Sequence, residues 1–139
     1  MCLLIYFNPL YPSEINKFVS SKLFVMKYTV YHNPRCKKSR AGLQYVQQRT
    51  DEVEVIEYLK NPITKKELET LLMKLNKKPH EIIRTQEAIY KSDYQGKQFN
   101  DHEWVKIMVE NPKLIKRPIV VKGNKAVWGD PAEELAVLF

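Results

Sequence analysis

"YHNPRCKKSR", residues 31–40, sets a single cysteine where one kind of sequence gives way to another. Ahead of it, "KYTVYH" (27–32) is β-branched and aromatic, which predicts a short strand. Pro34 ends that strand because it has no N–H to give to a ladder. Beyond it, "CKKSRAGLQYVQQR" (36–49) places Leu43 and Val46 at helical spacing with Ala41 and Tyr45 beside them, so a helix opens near Cys36. "VEVIEYL" (53–59) alternates again through Val53, Val55 and Tyr58 and predicts a second strand. Two strands joined by one helix make a βαβ unit whose strands lie parallel.

Outward from this unit the pattern changes. In "PITKKELETLLMKL", Thr64 and Glu67 have capping-box spacing, and Leu68, Leu71, Leu72 and Leu75 follow on one stripe. "KPHEIIRTQEAIYK" reads as short helical turns starting after Pro79. "NDHEWVKIMVENP" reads as a helix capped by Asp101, with Trp104, Ile107 and Met108 on one face, stopped by Asn111-Pro112. Residues 64–111 thus form a mostly helical block. "RPIVVKGNKAVW" (117–128) then reads as a hairpin turning at Lys122-Gly123-Asn124-Lys125. "DPAEELAVLF" closes the chain as a helix, with Asp130 as N-cap and Pro131 in the first turn.

A chain of 139 residues suits one domain with a real core. Its hydrophobic fraction of 44% and charged fraction of 28% are those of a globular protein. The only other cysteine, Cys2, stands at the far end of the chain. Two cysteines so placed make no disulfide framework, which points to a reducing, cytoplasmic setting. The net charge of +7 raises the question of nucleic acid. The lysines, however, alternate with Glu67, Glu69, Glu81 and Glu110, as on solvated helix faces, and no recognition motif accompanies them. Direct nucleic-acid binding is not expected; a small anionic substrate would use the same positive field.

Residues 1–25 differ in character from the rest. Their apolar start is short, broken by Asn8, Pro9 and Pro12, and has no basic residue before Lys17, so it lacks the build of a secretory signal. No segment approaches the ~20 apolar residues a membrane span needs. Met26-Lys27 looks like a natural beginning, and residues 1–25 are expected to be an extension outside a single domain covering 26–139.

Strand, helix, strand, helical block, hairpin and helix, with a cysteine after the first strand, is the thioredoxin order with a helical insertion at about 64–111. "YHNPRCKKSRAGL", "EIIRTQEAIY" and "LIKRPIVVKGNKAV" together resemble the glutaredoxin-linked arsenate reductase family, which is related to the Spx-type regulators. The likeness runs from about Met26 to the C-terminus, and its most specific element is the HNP-x-C-x-K-S signature. It implies an α/β fold, a thioredoxin-like four-stranded mixed sheet with an inserted, mostly helical subdomain. It also implies that Arg84 and Arg117 bind an oxyanion and that Pro118 follows a cis peptide bond. One position departs from the family pattern. The family carries a third arginine just before the proline of the last helix, and here that place holds Asp130.

The chemistry of Cys36 can be argued from its setting. A helix N-terminus presents unpaired N–H groups and a positive dipole end, which favour a thiolate and an anion beside it. Arg35, Lys37, Lys38 and Arg40 add positive charge, and such surroundings lower a thiol pKa. Basic neighbours on both sides argue against a buried inert thiol. His32, Asn33 and Ser39 are the candidates for tuning the thiolate, with the Ser39 hydroxyl one turn on expected to donate to the sulfur. For Arg84 the alternative role is an ion pair with Glu81 or Glu87. No metal site and no bound cofactor are expected.

Ser39 stands where a second cysteine would make a local dithiol. An adduct formed when Cys36 attacks arsenate would therefore need an external thiol, glutathione with glutaredoxin, to resolve it. The expected function is a thiol-dependent oxidoreductase acting on arsenate. Two others use the same residues: an Spx-like partner of RNA polymerase, and a glutathione-dependent reductase of another substrate.

Overall fold

The computed structural model of the protein describes residues 25–139. The predicted extension, Val25 excepted, lies outside the described residues, and so does Cys2.

Strand β1 (Tyr28–Tyr31) alternates its side chains, with Tyr28 and Val30 buried on one face and Thr29 and Tyr31 turned to the other. Helix α1 (Lys37–Gln47) follows and buries Ser39, Gly42 and Val46, the inward stripe of an amphipathic helix. Strand β2 (Val53–Ile56) returns parallel to β1, pairing Tyr28 with Val53 and Tyr31 with Ile56. It is shorter than the alternation through Tyr58 predicts. Val55 is 42% exposed because β2 is an edge strand.

Between β2 and the next strand lie helix α2 (Lys65–Leu75), a 3-10 turn (Pro79–Ile82), a π turn (Tyr90–Tyr94), helix α3 (Asp101–Glu110) and a 3-10 turn (Pro112–Leu114). The Thr64–Glu67 capping box forms as predicted: the Glu67 N–H donates to Thr64 Oγ1 at 3.2 Å and the Thr64 N–H to Glu67 Oε2 at 2.7 Å. Leu68, Leu71, Leu72 and Leu75 are all buried. The predicted cap of α3 is one residue out. Asn100, not Asp101, is the N-cap, because its Oδ1 accepts the Glu103 N–H at 2.9 Å while Glu103 Oε2 accepts the Asn100 N–H at 2.8 Å. Asp101 instead sits in the first turn, where its negative charge complements the positive end of the helix dipole.

Strands β3 (Ile119–Lys122) and β4 (Lys125–Trp128) form the predicted hairpin. Gly123 takes φ +58° at its turn, a conformation that other side chains resist. The sheet has four strands in the order β2-β1-β3-β4, parallel only between β1 and β2, and so is the mixed sheet expected. On one face Tyr28, Val30, Val46, Val120, Leu135 and Leu138 make a core under α1 and the C-terminal segment. On the other, Ile119, Val121 and Ala126 join the larger core of α2 and α3, which includes Tyr58, Trp104 and Met108.

The C-terminal segment corrects a second expectation. Ala132–Leu138 is 3-10 rather than α, and the residue before it is Pro131. Asp130 does not cap it: its carboxylate is taken by Lys38 Nζ at 2.6 Å. The Arg117–Pro118 bond is cis as expected, and the Asp130–Pro131 bond is cis as well.

Helix α1 lies against Pro118. A Cβ at Gly42 would stand 2.4 Å from Pro118 Cγ, well inside contact distance. Gly42→Ala should therefore lower stability by about 1–2 kcal/mol, the usual cost of overpacking less the helix propensity that alanine gains. Urea unfolding at constant slope would read this, with a measurable increase in stability as the contrary result.

Candidate active site

The strand register decides which residues meet. Tyr31 stands between Ile56 of β2 and Ile119 of β3. Chain leaving β1 and β2 and chain entering β3 therefore gather at one sheet edge, which brings together Cys36, Tyr58 and Arg117. Arg84 comes from the helical block. Ile83 bridges to Ile115, the Arg84 N–H donates to the Leu114 carbonyl at 2.8 Å, and the Lys116 N–H donates to the Ile82 carbonyl at 2.9 Å. That short antiparallel ladder fixes Arg84 near Arg117.

The loop into α1 is locked by its own polar groups. Asn33 Oδ1 accepts the Arg35 N–H at 3.0 Å, and the Asn33 carbonyl accepts the Cys36 N–H at 3.0 Å. Ser39 Oγ accepts the Asn33 N–H at 2.9 Å and lies 2.8 Å from His32 Nδ1. All three side chains are buried. The hydroxyl is thus turned away from its expected target. What Ser39 gives the sulfur is its backbone N–H, together with that of Lys38, because the first turn of a helix points its free N–H groups forward while the buried side chain faces the sheet. Burial lowers the His32 pKa, against the opposing charge of Glu57, and favours a neutral imidazole. His32 and Asn33 therefore act on Cys36 through the loop and through Ser39.

Cys36 is half-buried. Burial alone pushes its thiol up, but the Ser39 N–H, the Arg117 guanidinium and the Lys38 N–H together outweigh it and hold the pKa below the ordinary thiol value. Arg117 is only 9% exposed. Its Nη1 donates to the Lys113 carbonyl at 3.0 Å, and its Nε has no hydrogen-bond partner among the described residues. A buried guanidinium with an unused donor is open to a ligand acceptor.

Arg84 takes the ion pair that the sequence left open. Its Nε donates to Glu87 Oε1 at 2.9 Å, and the same oxygen lies 3.6 Å from Arg117 Nη1. Tyr58 completes the cluster. It is fully buried, donates to the Ile115 carbonyl at 3.2 Å, and burial pushes its pKa up to about 12 despite the nearby Arg117 and Arg84 charges. Its hydroxyl stays protonated and serves as a neutral donor. Sequence reasoning does not single out Tyr58 or Glu87 as site residues. The available signals were a tyrosine just past a strand end and an acid three residues after Arg84. Among the described residues, Lys38 is the flanking base tied down by a carboxylate, that of Asp130.

Among the described residues no cluster of His, Cys, Asp and Glu is arranged to hold a metal ion, and no helix is long and apolar enough to cross a membrane.

Residues 31–138 match the model of the ArsC family. The uncharacterized protein YfgD of Escherichia coli K12 is 38% identical over 108 residues, 76% of this chain and 91% of that one. The arsenate reductase of Neisseria meningitidis serogroup B is 32% identical over 108 residues, 76% of this chain and 92% of that one. Among solved structures, the arsenate reductase from Vibrio cholerae superposes with a TM-score of 0.78 at 34% identity, covering 82% of this chain and 98% of its own.

The geometry separates two roles for Ser39. Ser39→Ala should leave the Cys36 titration nearly unmoved, since the backbone N–H remains, yet strip a bond from buried His32 and Asn33 at about 1–3 kcal/mol of stability. Arg117→Ala should raise the Cys36 pKa. Alkylation rate against pH reads both, and the wild-type midpoint should fall below the ~8.5 of a free cysteine.

Proposed function

The chain belongs to the ArsC family, and from that premise we propose that it is a thiol-dependent oxidoreductase that reduces arsenate at Cys36. The observation that carries the proposal is the buried Arg117 guanidinium, which lies close enough to Cys36 to lower its thiol pKa and whose Nε has no hydrogen-bond partner among the described residues. An oxyanion seated there would have the nucleophile beside it and a planar fork of donors for its oxygens.

In the proposed reaction the Cys36 thiolate attacks arsenic and an oxygen leaves as water with protons from solution, giving a sulfur–arsenic(V) adduct. External thiols then supply two electrons. Arsenic leaves as arsenite, two thiols end as one disulfide, and Cys36 is freed. Glutathione is the proposed co-substrate and glutaredoxin the proposed partner, because Ser39 leaves Cys36 without a neighbouring resolving thiol. These donors fit a cytoplasmic setting. Arg117 would stabilise charge on the anion as it is attacked, and Arg84 would support it from the bridge at Ile83.

The test is NADPH consumption in the presence of arsenate, glutathione, glutaredoxin and glutathione reductase. Cys36→Ser should abolish turnover. Arg117→Ala should lower kcat/KM roughly a hundredfold or more, the usual cost of losing a transition-state donor. Absence of arsenate-dependent turnover in the wild type, with Cys36 alkylation unaffected by arsenate, would refute the proposal.

A further inference from the structure

The two arginines available to an oxyanion are not free of charge partners. Glu87 Oε1 accepts from Arg84 Nε at 2.9 Å and stands 3.6 Å from Arg117 Nη1, so one carboxylate oxygen sits between both guanidinium groups. The Arg84 and Glu87 side chains are largely covered, at 15% and 22% exposure, so this is not a solvated surface pair. Arg117 in turn is near enough to Cys36 for its charge to lower the thiol pKa. An anion bound to Arg117 beside Cys36 therefore has a carboxylate in its surroundings. Glu87 also lines, with Glu110 and Lys113, a cleft of about 500 Å³ whose lining does not include Cys36 or the two arginines.

A site for anions gains nothing in raw affinity from such a carboxylate. Its consequence is discrimination. An ionised carboxylate only accepts hydrogen bonds. An anion that still carries a proton can donate it to Glu87 in a charge-assisted bond while its other oxygens take the arginine donors. An anion with no proton meets lone pairs and like charge at the same point, which disfavours it without any change in size or shape. Phosphate and arsenate hold a proton at neutral pH, and sulfate does not.

We infer that Glu87 is a specificity-determining residue that makes the Cys36 site accept protonated tetrahedral oxyanions, of the arsenate and phosphate class, over fully ionised ones such as sulfate. This rests on the proposed oxyanion chemistry at Cys36 and names the property of the anion that the site reads. The same carboxylate holds Arg84 in place, so Glu87 orients one cation while filtering what the pair receives. A purely structural carboxylate would affect all anions alike.

The experiment measures how arsenate, phosphate and sulfate slow the reaction of Cys36 with a neutral alkylating agent at pH 7 and constant ionic strength. Phosphate and sulfate are nearly matched in size, and neither is reduced by thiols, so their comparison reads binding alone. In the wild type, half-protection should need at least tenfold less phosphate or arsenate than sulfate. Glu87→Gln keeps the shape but can donate to sulfate, and should narrow that ratio at least tenfold, mainly by improving sulfate. Equal protection by phosphate and sulfate in the wild type would overturn the inference with no variant needed. So would a Glu87→Gln protein that weakens every anion by the same factor. In both cases continued protection by arsenate would leave the reductase proposal standing. Protection by none of the three would overturn both.

Discussion

The approach of helix α1 to Pro118 sets the geometry of everything around Cys36. The helix can aim its first N–H groups at the sulfur only if its axis lies close to the residue that begins the β3 side of the site. A glycine at position 42 makes that possible, since any Cβ there would meet the proline ring at 2.4 Å. Pro118 is fully buried, Val120 one turn of the pleat along is buried too, and α1 reaches this layer through Ser39, Gly42 and Val46. Packing this dense tolerates little displacement. The distance between the helix terminus and Arg117 is therefore a property of the core, and Cys36 inherits its surroundings from contacts it does not make.

Within that frame the site is a balance of opposed electrostatic effects. Burial disfavours a charged sulfur. Two backbone N–H groups and one guanidinium favour it, and they prevail. None of the three is a freely rotating surface lysine. The basic run Lys37, Lys38 and Arg40 that first draws the eye is spent elsewhere in part: Lys38 on Asp130 and Arg40 on the Pro34 carbonyl at 2.9 Å. Groups already fixed by the fold need no reordering when charge develops, which makes them more effective than mobile ones. Tyr58 extends the same logic, because a buried hydroxyl with its pKa pushed up to about 12 stays neutral and is already fixed on the Ile115 carbonyl.

The fold was largely legible because its signals are local and repeated. Alternation in 28–31, helical spacing in 36–49, the Thr64 box and the glycine at 123 each act over a few residues, and each reappears in the structure. Where the reading slipped, two residues competed for one job at short range. Asn100 and Asp101 are both good caps, and only the reciprocal bond with Glu103 chooses between them. Asp130 looks like a cap in sequence, but a lysine 92 residues away takes its carboxylate. Within the site, Cys36 and Arg117 were legible from motif and position. Glu87 was legible only as a partner for Arg84, and Tyr58 not at all as a site residue, because their nearness to Arg117 depends on the Ile83–Ile115 bridge and on the β1–β2 register, pairings that no local pattern encodes. The Ser39 hydroxyl was misdirected for a related reason. Spacing places it one turn from the sulfur, while burial against the sheet decides which way it faces.

Asp130 and Glu87 are two carboxylates at the border of the proposed anion site, and they differ in what they neutralise. Asp130 sits where the family's arginine pattern would add a cation, and it pairs with Lys38, whose side chain remains 64% exposed. That pair is screened by solvent and weak. Its effect on the site is to hold a lysine that could otherwise turn toward Cys36. Glu87 is covered and contacts the arginines themselves, so its charge is screened far less. The site thus has two guanidinium groups facing one carboxylate and one thiolate, and little excess positive charge to draw anions indiscriminately. Recognition must then come from hydrogen-bond pattern more than from attraction: the fork of Arg117, whose Nε has no partner among the described residues, and the acceptor of Glu87. A donor–acceptor arrangement of this kind reads the protonation of a tetrahedral anion, a distinction that a third arginine would blur.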